Sequence, residues 1–212
     1  MPRRTKEESA RTRAHLIDAA RVEFALHGYT RASLELIARR AGVTRGALYF
    51  HFRDKADLFR AMRNAIELPL IDRIDLRPAP GEHDPLAAVE RFILSMLADI
   101  RDGETTRSTI EVLSFGCEYV GEMRGELDQH RDRLAELRGK LLAAYRQAER
   151  RALLRAGLTP RLAAVETMAF IAGLVRIMLL DGDAALLGRS LRPLVRAHID
   201  ARRRPVRRKA QN

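Results

Sequence analysis

SLELIARRAGVTRGALYFHFRDK, residues 33–55, reads as two short helices joined by a tight turn. Leu34, Ile37 and Ala38 stand at i, i+3 and i+4, so helical winding puts them on one inward face. Gly42 follows the last periodic residue, where a left-handed backbone is easiest without a Cβ. Val43 turns back toward the core, and Thr44 is a suitable N-cap for a second helix. Leu48 returns to the core, which leaves Arg45, Gly46, Tyr49 and Phe50 facing outward. Short helix, glycine turn, second helix is the helix-turn-helix plan, in which the second helix enters the major groove of DNA.

Outward from this stretch the pattern stays helical. Trp is absent, alternating β-branched runs are scarce, and the spacing of Ala and Leu predicts an all-α protein. A first helix is predicted over 9–27, ending at Gly28, with Leu16, Ile17, Ala20 and Phe24 inward. A fourth begins at Asp54 and runs to about residue 74, with Leu58, Phe59, Met62 and Ile66 inward. Residues 77–85, RPAPGEHDP, form the clearest loop. Further helices are expected near 85–101, 105–120, 123–156, 160–181 and 190–203. Asp84-Pro85 and Thr159-Pro160 each supply an N-cap followed by proline at the first helical position. The tail beyond 203 is basic and is expected to be disordered.

Charge divides the chain. Residues 1–60 hold 13 Lys+Arg against 7 Asp+Glu, residues 61–195 hold 19 against 20, and residues 196–212 hold 7 against 1. A basic head on a near-neutral body suits a DNA-reading module, 1–60, joined to a helical body, 61–203, and a basic tail, 204–212. One cysteine permits no intrachain disulfide, and the charged N-terminus lacks a signal peptide's apolar run, so a cytoplasmic protein is expected. The apolar run 162–180 contains Glu166 and Arg176 and reads as a buried helix, not a membrane span. Six scattered histidines lack paired metal-ligand spacing, and neither a phosphate loop nor a nucleophile elbow is present. No catalytic residue, metal site or cofactor is expected.

At residues 33–55 the chain resembles the TetR family of bacterial transcriptional repressors. The shared pattern is Ser33, Ile37-Ala38, Ala41-Gly42-Val43, Thr44, Gly46, Leu48, Tyr49, His51, Phe52 and Lys55. The upstream stretch RTKEESARTRAHLIDAARVEFALHGY is similar to the first helix of the family's multidrug-efflux repressor branch. The resemblance implies contacts to a double-stranded operator. Arg45 would offer its fork to guanine O6 and N7, and Gly46 would let the helix end approach closely. Tyr49 would touch a base or sugar, while Thr44, Ala47, Phe50, His51 and Lys55 would meet the backbone. Ser33 and the N–H of Leu34 would meet a phosphate. His51 could instead pack the helix corner, Phe50 could be half core, and Lys55 could be an ordinary first-turn lysine. Glu35 stands where some relatives touch bases, and a carboxylate there opposes close approach.

The resemblance also implies a homodimer built on the helices near 126–152 and 160–181, and a body that binds a small hydrophobic inducer. Ile110, Leu113, Ser114 and Cys117 fall on one stripe, and Gly116 inside a helix would cost about 1 kcal/mol relative to Ala. Met96, Met123, Met168 and Met178 supply deformable surface. The expected lining is Met96, Ile110, Leu113, Ser114, Cys117, Met168, Ile171 and Ala172. Each of these features also has a core-packing reading. Efflux-branch relatives often carry polar residues where this chain has Ala172-Gly173, which implies a larger or drier pocket. The rival functions are a ligand-independent architectural DNA binder, a regulator sensing an acyl or other metabolite, an enzyme, and a redox sensor using Cys117.

Overall fold

The computed structural model describes residues 5–72, 76, 84–181 and 187–205. The predicted loop lies outside the described residues over 77–83, as does the tail over 206–212. Among the described residues the chain forms nine α-helices and no strand: α1 Lys6–Arg31, α2 Leu34–Arg40, α3 Arg45–His51, α4 Lys55–Asp72, α5 Pro85–Asp102, α6 Glu104–Phe115, α7 Arg124–Arg150, α8 Pro160–Leu180 and α9 Leu191–Asp200. Two 3-10 turns, Gly121–Met123 and Gly188–Ser190, precede α7 and α9.

Several ends depart from the sequence reading, each for a local reason. α1 starts earlier because Thr5 and Glu8 form a reciprocal capping box, each side chain bonding the other's backbone N–H. Gly28, at φ 71°, breaks its last turn. α6 stops at Phe115, not near 120, so Gly116 is a helix cap and not an interior glycine. The Gly116 carbonyl leaves the helical ladder to accept the Tyr29 N–H at 2.7 Å. α7 ends at Arg150, six residues before the expected end, where Ala152 takes a left-handed φ of 55°. Beyond it the backbone pairs instead with the end of α9: Arg155 N–H donates to Arg202 O and Arg204 N–H to Leu153 O.

The chain packs as two compact units, one of residues 1–70 and 102–131, the other of residues 71–101 and 132–212. The first holds the helix-turn-helix. Its core joins Leu16, Phe24, Ile37, Leu48, Phe52, Leu58, Phe59 and Met62 to Val112, Leu113 and Met123. The segment 102–131, read from sequence as part of the body, thus completes the interior of the head. A head of about 60 residues alone buries too little surface to be comfortably stable, and each side chain added to its core contributes roughly 1.5–3 kcal/mol.

The second unit carries a buried polar chain across three helices. The Tyr145 hydroxyl of α7 lies 2.7 Å from Thr167 Oγ1 of α8, which lies 3.0 Å from His198 Nε2 of α9. His198 also stacks on Phe170 at 3.9 Å between ring centroids. α8 is long and apolar enough to cross a membrane by length and composition. Within the chain it is buried on one side only. Ala163, Ala164, Thr167, Ile171 and Leu174 face inward, while Leu162, Val165, Ile177 and Leu180 are exposed.

Candidate nucleic-acid interface

α2 and α3 are set by their caps. Ser33 Oγ accepts the Leu36 N–H, and Thr44 Oγ1 accepts the Ala47 N–H, each at 3.2 Å. Between the helices Gly42 takes φ 67°, its N–H donating to Arg39 O and that of Val43 to Ala38 O. This left-handed closure is why glycine stands there. Ile37, Ala38, Leu48 and Phe52 are buried, so the inward face of both helices is filled.

The opposite face of α3 is open. Arg45, Gly46, Tyr49 and Phe50 are all exposed. At 79% exposure Phe50 is not half core. Arg45 Nη2 donates to the Tyr49 hydroxyl at 3.3 Å, and the guanidinium lies 5.5 Å from that ring, one helical turn on. This pairing raises the Arg45 pKa, principally through the Tyr49 hydrogen bond, so the group stays a cation. A Cβ placed on Gly46 would meet nothing nearer than Thr44 Oγ1 at 3.9 Å. Among the described residues no packing demands a glycine at 46. Ala47 and His51 are half-buried, and Phe50 meets His51 edge-on at 5.1 Å.

Lys55 has a different environment from the exposed α3 side chains. Its ammonium donates to the carbonyls of Tyr29, Thr30 and Ala32 at 2.8, 3.2 and 3.1 Å and lies 4.5 Å from the Tyr29 ring centroid. It therefore closes the C-terminus of α1, where a cation meets the negative end of the helix dipole. α1 is tied to the motif twice more. Arg40 of α2 donates to the buried carboxylate of Glu23 at 2.6 Å, and the Arg13 guanidinium lies 5.0 Å from the Phe52 ring.

The expected pocket residues are distributed over both units. In the first, Leu113 is buried in the core just described, Cys117 packs against it, Ile110 is half-buried and Ser114 is exposed. α6 buries Thr109, Val112 and Leu113, a face rotated from the stripe read off the sequence. In the second, Ile171 is buried, Met96 and Met168 are half-buried and Ala172 is exposed. A surface cleft of about 440 Å³ runs between α7 and α8, past Arg138, Arg146, Arg161 and Val165, and none of the expected residues lines it. The Cys117 thiol is pushed up to about 11, by burial first and then by Glu126 and Glu118, which opposes thiolate chemistry.

Two polar clusters of the first unit escaped the sequence reading. Arg63, 1% exposed, donates to Glu126 and Gln129 at 2.5 Å each, and Arg60 donates to the other oxygen of Glu126 at 3.1 Å. Tyr29 donates its hydroxyl to Glu122 at 2.8 Å. Charged residues at 60, 63 and 126 look like a solvated helix face in sequence, and nothing in their spacing signals burial.

Residues 16–62 match the bacterial regulatory proteins of the tetR family, and residues 84–202 match the C-terminal region of MAATS-type transcriptional repressors. The chain is 34% identical over 189 residues to the HTH-type transcriptional regulator TtgR of Pseudomonas putida, covering 89% of this chain and 90% of that one. It is 36% identical over 176 residues to the HTH-type transcriptional repressor BepR of Brucella suis, covering 81% of this chain and 82% of that one. Among solved structures it is similar to NalD of Pseudomonas aeruginosa, the secondary repressor of the MexAB-OprM multidrug efflux pump. The TM-score is 0.81 at 29% identity, over 95% of this chain and 100% of NalD.

Proposed function

The chain belongs to the TetR family, as a DNA-binding transcriptional repressor and not an enzyme, and from that premise we propose that it silences an efflux-type operon until a small hydrophobic or amphipathic molecule releases it. The carrying observation is the face of α3: Arg45, Gly46, Tyr49 and Phe50 project outward from a helix whose other side is locked into a core. The open space at Gly46 supports close approach of the helix end to DNA. In this reading Arg45 takes a guanine, Tyr49 a base or sugar, and Ser33, Leu34, Thr44, Ala47, Phe50 and His51 line the backbone. Residues 1–60 read DNA, and residues 61–203 sense the inducer and dimerise.

Repressors of this family act as dimers on DNA, and two recognition helices reach successive major-groove faces about 34 Å apart. The operator is then near-palindromic. The exposed apolar side chains of α8, Leu162, Val165, Ile177 and Leu180, together with α7, are the surface the second copy would cover. The same covering keeps α8 out of a membrane and the protein in the cytoplasm. For the inducer, half-buried Met96 and Met168 of the second unit are the candidate residues kept, while Leu113 and Cys117 serve the core of the first.

The test is a footprint on the DNA flanking the gene, repeated with a panel of hydrophobic compounds. Triclosan, bound in the solved complex of the structurally similar SmeT, is a first member. Protection of a near-palindrome that weakens with one compound supports the reading. Sequence-independent binding that no compound alters would favour the architectural alternative.

A further inference from the structure

Tyr29 is held at both ends and in the middle. Its backbone N–H donates to the Gly116 carbonyl at 2.7 Å, and its hydroxyl donates to Glu122 Oε1 at 2.8 Å. The two partners flank the segment between α6 and α7. The ring between them is 5% exposed and packs against Phe59 and Phe24, with centroids 5.4 and 5.7 Å away. Above the ring sits Lys55, whose ammonium also takes the carbonyls of Tyr29, Thr30 and Ala32.

Gly28 makes the arrangement possible. Its φ of 71° turns the chain out of the α1 helix, so the next N–H points to α6 and not back along α1. The opposite partner is equally constrained. A Cβ on Gly116 would stand 3.0 Å from Val112 O and 3.5 Å from Phe24 O. Lys55 opens α4, and only Phe52, Arg53 and Asp54 separate it from the end of α3. Phe52 is itself buried. Where Lys55 is anchored, the recognition helix is anchored too.

We propose that Tyr29 is the positioning residue through which the segment 116–122 sets the recognition helix. A displacement of that segment is passed by Tyr29 to Lys55, and by Lys55 to α3. The regulatory meaning rests on the inducible-repressor reading: an inducer that moves the end of α6 would act on DNA by this route. The mechanical coupling itself needs no inducer.

The experiment compares the full chain with Y29F and E122Q by hydrogen exchange without DNA or inducer. Operator affinity is then measured across a salt series. Y29F removes one hydroxyl and keeps the ring, the backbone bond and the contact with Lys55. Its amides over 116–123 and 52–58 should exchange roughly tenfold faster, the loss of one bond to a charged acceptor, while those over 132–181 keep their wild-type rates. Operator affinity should fall by about the same factor at an unchanged salt slope, because no phosphate contact is lost. E122Q retains an acceptor oxygen for the Tyr29 hydroxyl and should show much less of both effects than Y29F. Faster exchange at 116–123 alone, with 52–58 and operator affinity as in wild type, would overturn the proposal. So would a uniform rise across both units. A wild-type chain that no compound releases from DNA would sink the inducible reading and leave the exchange result standing.

Discussion

Arg45 and Lys55 lie ten residues apart in the same motif, yet their surroundings assign them different work. Arg45 is exposed and meets only the side chain of Tyr49 in the hydrogen bonds described, so its loss should be felt on DNA. Arg45→Ala should cost about 1–3 kcal/mol on the operator and relax preference at one base pair. Binding measured on single-base variants of the site checks it, and uniform weakening would refute base reading. Lys55 spends three N–H groups on carbonyls of α1. Lys55→Ala should lower unfolding stability by about 2 kcal/mol through the lost charged hydrogen bonds. A phosphate role would instead leave stability intact and shallow the salt slope by about one unit. Denaturant melts and a salt series separate the two. The identity of both side chains was plain in the motif. What Lys55 touches was not, because its partners are 23 to 26 residues away in sequence.

At the level of elements, α4 is joined to the first turns of α7 by charge. Arg63 and Glu126 are 1% and 3% exposed, so each is the other's main compensation for leaving water. Glu126→Ala would leave the buried Arg63 guanidinium without its carboxylate and should destabilise the protein by about 3–5 kcal/mol. The paired change Arg63→Met with Glu126→Leu removes both charges and should recover most of that loss. Chemical denaturation of the three variants is the measurement. A single variant as stable as wild type would mean that water reaches the site. The periodicity of α4 correctly marked Leu58, Phe59 and Met62 as inward, since all three are buried. It could not mark Arg63, because burial of a charge depends on a partner from a remote helix.

For the whole molecule, pH should act through His198. Burial first, and then the charge of Arg202, lower its pKa from 6.5 to about 4. The unfolded chain takes up a proton near pH 6.5 that the folded chain refuses until about pH 4. Stability is therefore complete above the first value and declines as pH falls through that window. Allowing for the partial exposure of the ring, the loss should reach about 1–2 kcal/mol. Melts between pH 7 and 4 should show it, and His198→Phe should flatten this part of the profile. Assembly is the second test at this scale. Val165→Glu puts a charge on the exposed apolar face of α8 and should convert the dimer to a 24 kDa monomer with weakened operator binding. Light scattering that still returned a dimer would move the interface elsewhere.

Local chemistry was enough to determine the helix-turn-helix. Ser33 and Thr44 as caps, Gly42 as the left-handed turn, and Leu48 between outward neighbours act over a few residues, and such signals survive in a bare sequence. The all-α class follows from spacing for the same reason. Only the tertiary structure decided where α6 ends. The Gly116 carbonyl is claimed by Tyr29, 87 positions earlier, and the local cost of a helical glycine, about 1 kcal/mol, was too small by itself to stop the helix short of residue 120. It also decided that the stripe read as pocket lining contributes Leu113 and Cys117 to the head's core. An apolar stripe records that a face is covered, and its composition is the same whether a ligand or another helix covers it.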